Sequence, residues 1–522
     1  MPIKSKAKSK PVHYVRESKS KLNHVLLLGI LFLVFAIIFL LKLNNEGLFW
    51  LLLVVGAVLV ANSILLRFSF ATPFMFKYIL TMLKTKHFVN FITSIAHHAK
   101  WFEKICILGS ILGFGVTAVD YWFARKIGGW KRILLLLGSA VVLGFFFYTF
   151  CKVLFAVPVL APLFWFCLIA FVILGFGGMS LAILVGYGGL SVISLINHTQ
   201  ICPSVAPVLP GVPIPGLGVA IPLIAWISFV MVLVIHEFSH GIMMIYYKEK
   251  IKSVGVILAG IIPFGAFVEQ DNKTFEKLDD KKALNVLSAG SASNLFTLGV
   301  AWVVLLILIT ALVPFNPVFE GVAEKSFGGV KVNSVSDTVS FCGVDANAPA
   351  KGKLFAGDIV KEINGVDINS IETLNKLFKD ANGSIRFTIE RTNDKNIPVD
   401  LNVGITPFNF EQLGIKRIGV EFAVVPTDYV VPPEIFWAST TLSMISQILL
   451  FFIIISFAAG SFNYFPSEPF DGGKMAKIIL APYFGFMKMD KKDTHKLIGR
   501  IFVWILIISL TLNMIPYLTM AI

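Results

Sequence analysis

The sequence predicts a multi-pass α-helical membrane protein with a small α+β domain inserted between its helices, and three observations carry that prediction. Of its 522 residues, 56% are hydrophobic and only 15% charged, with a mean hydropathy of +0.80. A soluble multidomain enzyme, a disordered scaffold or a collagen-like fibre has a different composition. Apolar runs of about 20 residues, the length that crosses a bilayer, recur along the chain from Leu22 to Tyr517. Between Pro314 and Pro433 the chain turns polar enough for water and alternates as strands do.

The net charge of +14, from 45 Lys and Arg against 31 Asp and Glu, fits basic residues that flank apolar helices and hold their cytoplasmic ends on anionic lipid. No zinc knuckle, basic helix or stacking sheet accompanies it, so nucleic acid is not an expected partner; the lipid bilayer is. Residues 1–23 form a basic cytoplasmic segment carrying Lys4, Lys6, Lys8, Lys10, Arg16, Lys19 and Lys21. An N-terminal multi-helix membrane extension follows over 24–196. Its expected spans are Leu22 to Leu43, Leu48 to Leu66, Ile105 to Phe123, Ile133 to Phe150, and one or two within Pro158 to Ile196, where Gly-rich turns interrupt the run. Arg67 to Lys104 reads as an interfacial amphipathic stretch. His97 and His98 are adjacent, face different sides of a helix, and make a poor chelating pair. Asp120 lies near Arg125 and Lys126, which suits an anchor at the membrane interface. Counting spans to the Pro-rich external loop at 197–218 leaves the parity open: an odd number must cross before residue 219. Cys106, Cys151 and Cys167 read as small hydrophobes, and Cys202 can pair with Cys342 only if both lie outside the cytoplasm.

Residues 219–313 form the first half of a membrane core, and here the chain carries chemistry. Near the end of an apolar helix from Val219 to Tyr246 stands His236-Glu237-Phe238-Ser239-His240. The i,i+4 spacing stacks both imidazoles on one face, so both reach one zinc ion. Glu237, next to the first ligand, polarises a water without joining the ligand set. Three ionisable side chains in hydrocarbon need compensation, which a metal supplies. Two histidines leave zinc short of ligands. The stretch 255–267, broken by Gly255, Gly260, Pro263 and Gly265, reads as a re-entrant hairpin that offers a backbone edge to an unfolded substrate strand. The span from Ala283 to Val313 then opens with the small residues Ala289 to Ser293, followed by Asn294.

The inserted domain is expected over 325–408: a strand through Gly357 to Ile363, an Asn364-Gly365 turn, a helix with Ile371, Leu374, Leu377 and Phe378 on one face, and a strand from Ile385 to Glu390. The second half of the core occupies 434–522. Its span from Ile435 to Ala459 runs into Asn463 to Gly473, and two crossings after His240 return the chain to the same membrane face. Asp471 is therefore the expected third ligand, with Glu468 its rival. Pro466 and Pro469 break the helix, and Gly472 and Gly473 let the backbone turn closely beneath a metal. Phe502 to Tyr517 makes a short final membrane element.

These residues resemble the site-2 protease family of intramembrane zinc metalloproteases. His236 to His240 looks like its zinc signature, and Asn463 to Gly473 like its N-x-x-P-x-x-P-x-D-G-G motif. Ala356 to Val360 with Ile363-Asn364-Gly365 resembles a PDZ segment, and Gly265 to Glu269 an archaeal-type loop after the zinc helix. Gly290 is followed by Ser291 where the family often has Gly-Pro, and Phe470 stands where Leu is common. The resemblance implies a zinc metalloprotease transmembrane core holding one Zn2+ per chain on His236, His240 and Asp471. Glu237 is then the catalytic residue, Asn294 and Asn463 contact the transition state or substrate, and Pro466, Pro469, Gly472 and Gly473 support the motif. It implies single-span membrane protein substrates, a peptide ligand for an extracytoplasmic PDZ-like domain, and an active site near the cytoplasmic side of the cell membrane. The competing readings are a zinc- or ion-linked transporter, for which the expected inverted repeat of the H-E-x-x-H helix is missing, and an inactive scaffold that binds peptides.

Overall fold

The structure is a computed structural model. It describes residues 19–43, 46–68, 71–73, 79–85, 87–156, 160–198, 201, 209–211, 220–270, 275, 277–341, 344–368, 370–380, 383–392, 398–410 and 415–516. Cys202, Cys342 and most of the loop at 197–218 lie outside the described residues, and so does the pairing considered for those two cysteines. The chain divides into two compact units, 1–108 with 230–294, and 109–229 with 295–522.

In the first unit, helices α1 (Lys19–Leu43) and α2 (Glu46–Leu65) form a hairpin. Gly29 and Gly56 sit at their crossing, where a Cβ on either would lie 2.9 to 3.0 Å from the other's carbonyl oxygen. The stretch expected to be interfacial and amphipathic contains two strands, β1 (Ala71–Pro73) and β2 (Leu80–Thr85), before the amphipathic α3 (His87–Ala96). These strands join β3 (Ile251–Ala259) and β4 (Ile262–Gln270) in one antiparallel sheet of order β1-β2-β3-β4. The expected hairpin at 255–267 is thus a pair of nine-residue strands, paired with each other and, through β3, with β2. Gly260 makes the two-residue turn with φ +64°, the left-handed backbone a type II′ turn places first. The turn packs on Val58 and Ala61 of α2. Across the sheet, Lys84 Nζ lies 3.0 Å from Glu269, which also accepts from Ser253 Oγ at 2.6 Å. Burial alone would raise the Glu269 pKa, but these donors and the nearby Lys252 hold it below the ordinary glutamate value.

The second unit contains α5 (Gly129–Phe146) and α6 (Phe164–Ile196). Within the apolar run at Pro158 to Ile196, Phe164–Ile196 form one long helix, broken by non-helical backbone at Leu174 and Gly175. The long helix α4 (Lys100–Trp122) is broken likewise at Gly115. Asp120 is buried and accepts from Arg125 at 3.1 Å, from two nitrogens of Arg132 at 2.9 Å, and from Tyr483 Oη at 2.8 Å. Two guanidinium groups and a hydroxyl make its burial tolerable. The remaining long helices are α7 (Ala225–Tyr246), α8 (Asp280–Leu312), α11 (Pro433–Phe462) and α13 (Lys491–Asn513), the shorter α9 (Asn316–Ser326), α10 (Ile371–Asp380) and α12 (Asp471–Leu480) falling between them. The final membrane element begins some ten residues before the expected Phe502, because Asp490 caps its N-terminus by accepting from Asp493 N. Seven helices among the described residues are long and apolar enough to cross a membrane.

The polar insert is a β-sheet-containing domain. Its main sheet runs β11 (Pro398–Ile405), β10 (Ile385–Thr392), β8 (Ile359–Ile363), β5 (Phe327–Val335), β14 (Val420–Pro426), with β9 (Val366–Asp367) on β8. The hairpins β6–β7 (Thr338–Phe341, Val344–Asn347) and β12–β13 (Phe408–Phe410, Ile415–Arg417) stand apart from it. Asn364 and Gly365 both have positive φ, the I′ turn that an Asn-Gly pair predicts. Val332, Val360, Ile363, Ile385, Phe387 and Ile389 are buried in its core, with Leu374 of α10; Leu377 and Phe378 pack against them. The sheet takes in β14, beyond the expected boundary at residue 408.

Candidate metal centre

His236 and His240 are both buried on α7, one turn apart as their spacing requires. Their rings are held from behind. His240 Nδ1 lies 2.7 Å from the carbonyl oxygen of Val286 on α8. A carbonyl only accepts, so that nitrogen carries the proton and Nε2 presents a lone pair. His236 Nδ1 lies 3.1 Å from Nδ2 of the Asn294 side chain; with the two ends of that carboxamide exchanged, its oxygen would accept from Nδ1 and leave the His236 Nε2 lone pair pointing inward as well. The two Nε2 atoms converge to 3.2 Å. Two lone pairs at that distance repel unless a cation or proton sits between or beside them.

Space for an ion comes from Gly290. A Cβ there would stand 2.5 Å from Nε2 of both histidines, so any side chain at 290 would fill the place where their lone pairs meet. Neither this glycine nor the Val286 carbonyl is visible as a site residue in the sequence; only the run of small residues at Ala289 to Ser293 hints at a close approach.

Asp471 opens α12. Its carboxylate and the two imidazoles offer ligand atoms that all lie within 4.8 Å of one another. The turn before it is held by the Gly472 amide, which donates to the carbonyl of Asn463 at 2.7 Å. A Cβ on Gly472 would overlap the Tyr464 carbonyl, and one on Gly473 the amide nitrogen of Glu468. Both glycines thus serve close packing of the first helical turn on the preceding loop. Pro466 is buried within that loop, whereas Pro469 is exposed. Glu468, the rival ligand, is turned outward to Lys477 Nζ at 2.8 Å. Two nitrogens and one oxygen leave a coordination position open, the donor set of catalytic zinc sites.

Glu237 does not join this cluster. Its carboxylate accepts from the backbone N–H of Val268 on β4 at 3.1 Å. Because β4 pairs only with β3 among the described strands, this N–H points to the unpaired edge. Of the three glycines expected to bind a substrate strand, Gly265 lies on this edge strand and Gly260 in the turn. Gly255 is interior: it pairs with Lys84 on one side and Phe267 on the other, and a Cβ there would overlap the carbonyl of Leu83. Asn294, expected to face substrate, is fully buried against His236. Asn463 contributes its backbone carbonyl to the Asp471 turn.

Known proteins point the same way. Over 197 residues the chain is 29% identical to an uncharacterized protein of Methanocaldococcus jannaschii, a stretch that covers 37% of this chain and 46% of that relative, so the chain spans less than half of the relative's length. The model of Peptidase family M50, the site-2 protease family, matches residues 224–510. That match takes in the H-E-x-x-H helix, the inserted domain and Asp471, and covers more than half of the chain: the chain belongs to Peptidase family M50.

Proposed function

We propose that the protein is an intramembrane zinc-dependent endopeptidase that cleaves the transmembrane segments of membrane-tethered, single-span proteins. The observation that carries this reading is the convergence of His236, His240 and Asp471, with the His240 imidazole locked in the tautomer that ligation needs and Asn294 set against Nδ1 of His236. His236, His240 and Asp471 would hold one zinc ion per chain, and zinc in such a site supplies a water of lowered pKa and a Lewis acid for the scissile carbonyl.

Glu237 is the general base in this mechanism. It stands beside the ligands on α7, takes a proton from the attacking water and returns it to the leaving peptide nitrogen. Asn294 acts as a positioning residue through His236, and the Asn463 side chain is the remaining polar group proposed to face the substrate. A substrate helix hides its amides, so it must unwind before cleavage. The outer edge of β4 receives the opened strand, since its backbone groups replace the hydrogen bonds the helix gives up, and Glu237 already touches that edge through Val268. The inserted domain serves as a PDZ-like docking module or size filter on the extracytoplasmic side, away from the chemistry.

The test uses full-length protein in detergent and a membrane-type peptide. Glu237→Gln is expected to retain zinc and lose cleavage by at least about a hundredfold, as removal of a general base does; zinc-loaded Glu237→Gln that still cleaves would sink the assignment. Ala266→Pro removes an amide from the free edge of β4, two residues from Val268, without breaking a bond to β3. It is expected to lower kcat/KM for peptides while leaving zinc content unchanged, and an unaltered kcat/KM would refute edge pairing.

A further inference from the structure

The membrane extension carries an internal repeat. Ile111-Leu112-Gly113-Phe114-Gly115 in α4 and Ile173-Leu174-Gly175-Phe176-Gly177 in α6 are the same pentapeptide. Each copy breaks its helix: Gly115 has φ +56° and ψ −142°, and Gly175 φ +57° and ψ −149°, a region essentially reserved for glycine. The breaks lie against each other. A Cβ on Gly115 would be 2.8 Å from the Gly175 nitrogen, and one on Gly175 would be 2.6 Å from the Phe114 nitrogen.

Both copies grip the segment that leads to Asp471. Tyr464 is fully buried. A Cβ on Gly113 would overlap its ring, and a Cβ on Gly177 would stand 2.5 Å from its carbonyl oxygen. One glycine from each copy therefore makes room for one part of the same residue. Phe114 meets the Tyr464 ring edge-on, with centroids 6.5 Å apart, and Phe176 meets Phe457 of α11 in the same way at 5.7 Å. The Tyr464 carbonyl that rests on Gly177 also rests on Gly472, the residue after Asp471.

We propose that the paired repeats form a clamp on Tyr464 that sets the position of the Asp471 carboxylate. The extension helices α4 and α6 then belong to the metal-holding apparatus, and Tyr464, Gly113 and Gly177 are positioning residues. The proposal rests on the reading of His236, His240 and Asp471 as zinc ligands.

The experiment measures zinc affinity of full-length protein in detergent by competition with a chromophoric chelator, and the visible spectrum of its cobalt form. Gly113→Ala and Gly177→Ala are expected to weaken zinc by about ten- to a hundredfold, the usual effect of disturbing an outer support. Gly138→Ala, whose new methyl meets nothing within 4 Å, should bind as wild type. In an Asp471→Ala background Gly113→Ala should cost nothing more, and its cobalt spectrum should match that of Asp471→Ala. Pairing Gly113→Ala with Tyr464→Val, which removes the ring the methyl meets, should restore affinity. If Gly113→Ala does not fold, Tyr464→Leu opens the clamp from its other side and carries the same comparison. Equal losses with and without Asp471, or no loss at all, would overturn the clamp. Wild-type protein that takes up no zinc would overturn the metal reading as well, a separate and recognisable result.

Discussion

At the scale of single residues, the centre depends on what stands behind its ligands. His236 and His240 are useful to a metal only while their Nδ1 atoms are engaged elsewhere, and the two locks differ in kind. Val286 offers a backbone carbonyl that substitution cannot remove, whereas Asn294 offers a side chain. Asn294→Ala is therefore expected to weaken zinc by about ten- to a hundredfold. Asn294→Asp, whose carboxylate accepts from Nδ1–H through either oxygen, should keep most of the affinity. Zinc competition titrations of the two variants check this; equal loss in both would show that packing at 294 matters and the hydrogen bond does not. The same residue marks the limit of sequence reading. The H-E-x-x-H pair was legible because helical periodicity alone brings its members together, and Asp471 because two crossings return it to the same face. Asn294, by contrast, was expected at the substrate, since sequence does not reveal which way a buried amide turns. Gly290 was invisible as a site residue because its contribution is an absent side chain.

At the scale of elements, the four-stranded sheet shows why part of the fold escaped the pattern. Leu80 to Thr85 is six residues without clean alternation, and its partner β3 begins more than 160 positions later; nothing local announces such a pair. The sheet is tied across β2, β3 and β4 by Lys84, Ser253 and Glu269. Glu269 has a folded pKa below its ordinary value of 4.5, so its contribution to stability is complete above that value and is lost as pH falls through the lower folded value. Amide exchange in β3 and β4, corrected for the intrinsic rate at each pH, should therefore accelerate below about pH 4.5 in the wild type. Glu269→Gln should show weaker protection that no longer changes over that interval. A pH response that survives the substitution would assign the effect to another group.

At the scale of the whole molecule, crossing number decides whether the site can assemble. If α6, one interrupted helix, crosses once, the parity that the apolar runs left open is fixed. Three long apolar helices, α4, α5 and α6, then precede α7, and the α1–α2 hairpin adds either none or two, so the count is odd in both cases. If each long helix crosses, the end of α7 and the start of α12 are separated by two crossings, α8 and α11, and face the same compartment, whereas the inserted domain lies between those crossings and faces the other. Lys376 in the inserted domain and Lys488 after α12 are both exposed and are separated by the single long helix α11. In a background without native cysteines, Lys376→Cys should react with an impermeant maleimide added outside intact cells, and Lys488→Cys only after the membrane is opened. By the positive-inside rule, the flank of Lys488, Lys491, Lys492 and Arg500 predicts this labelling pattern. Labelling of both positions from one side would mean that α11 does not cross, and a bilayer would then separate Asp471 from the histidines it is proposed to join.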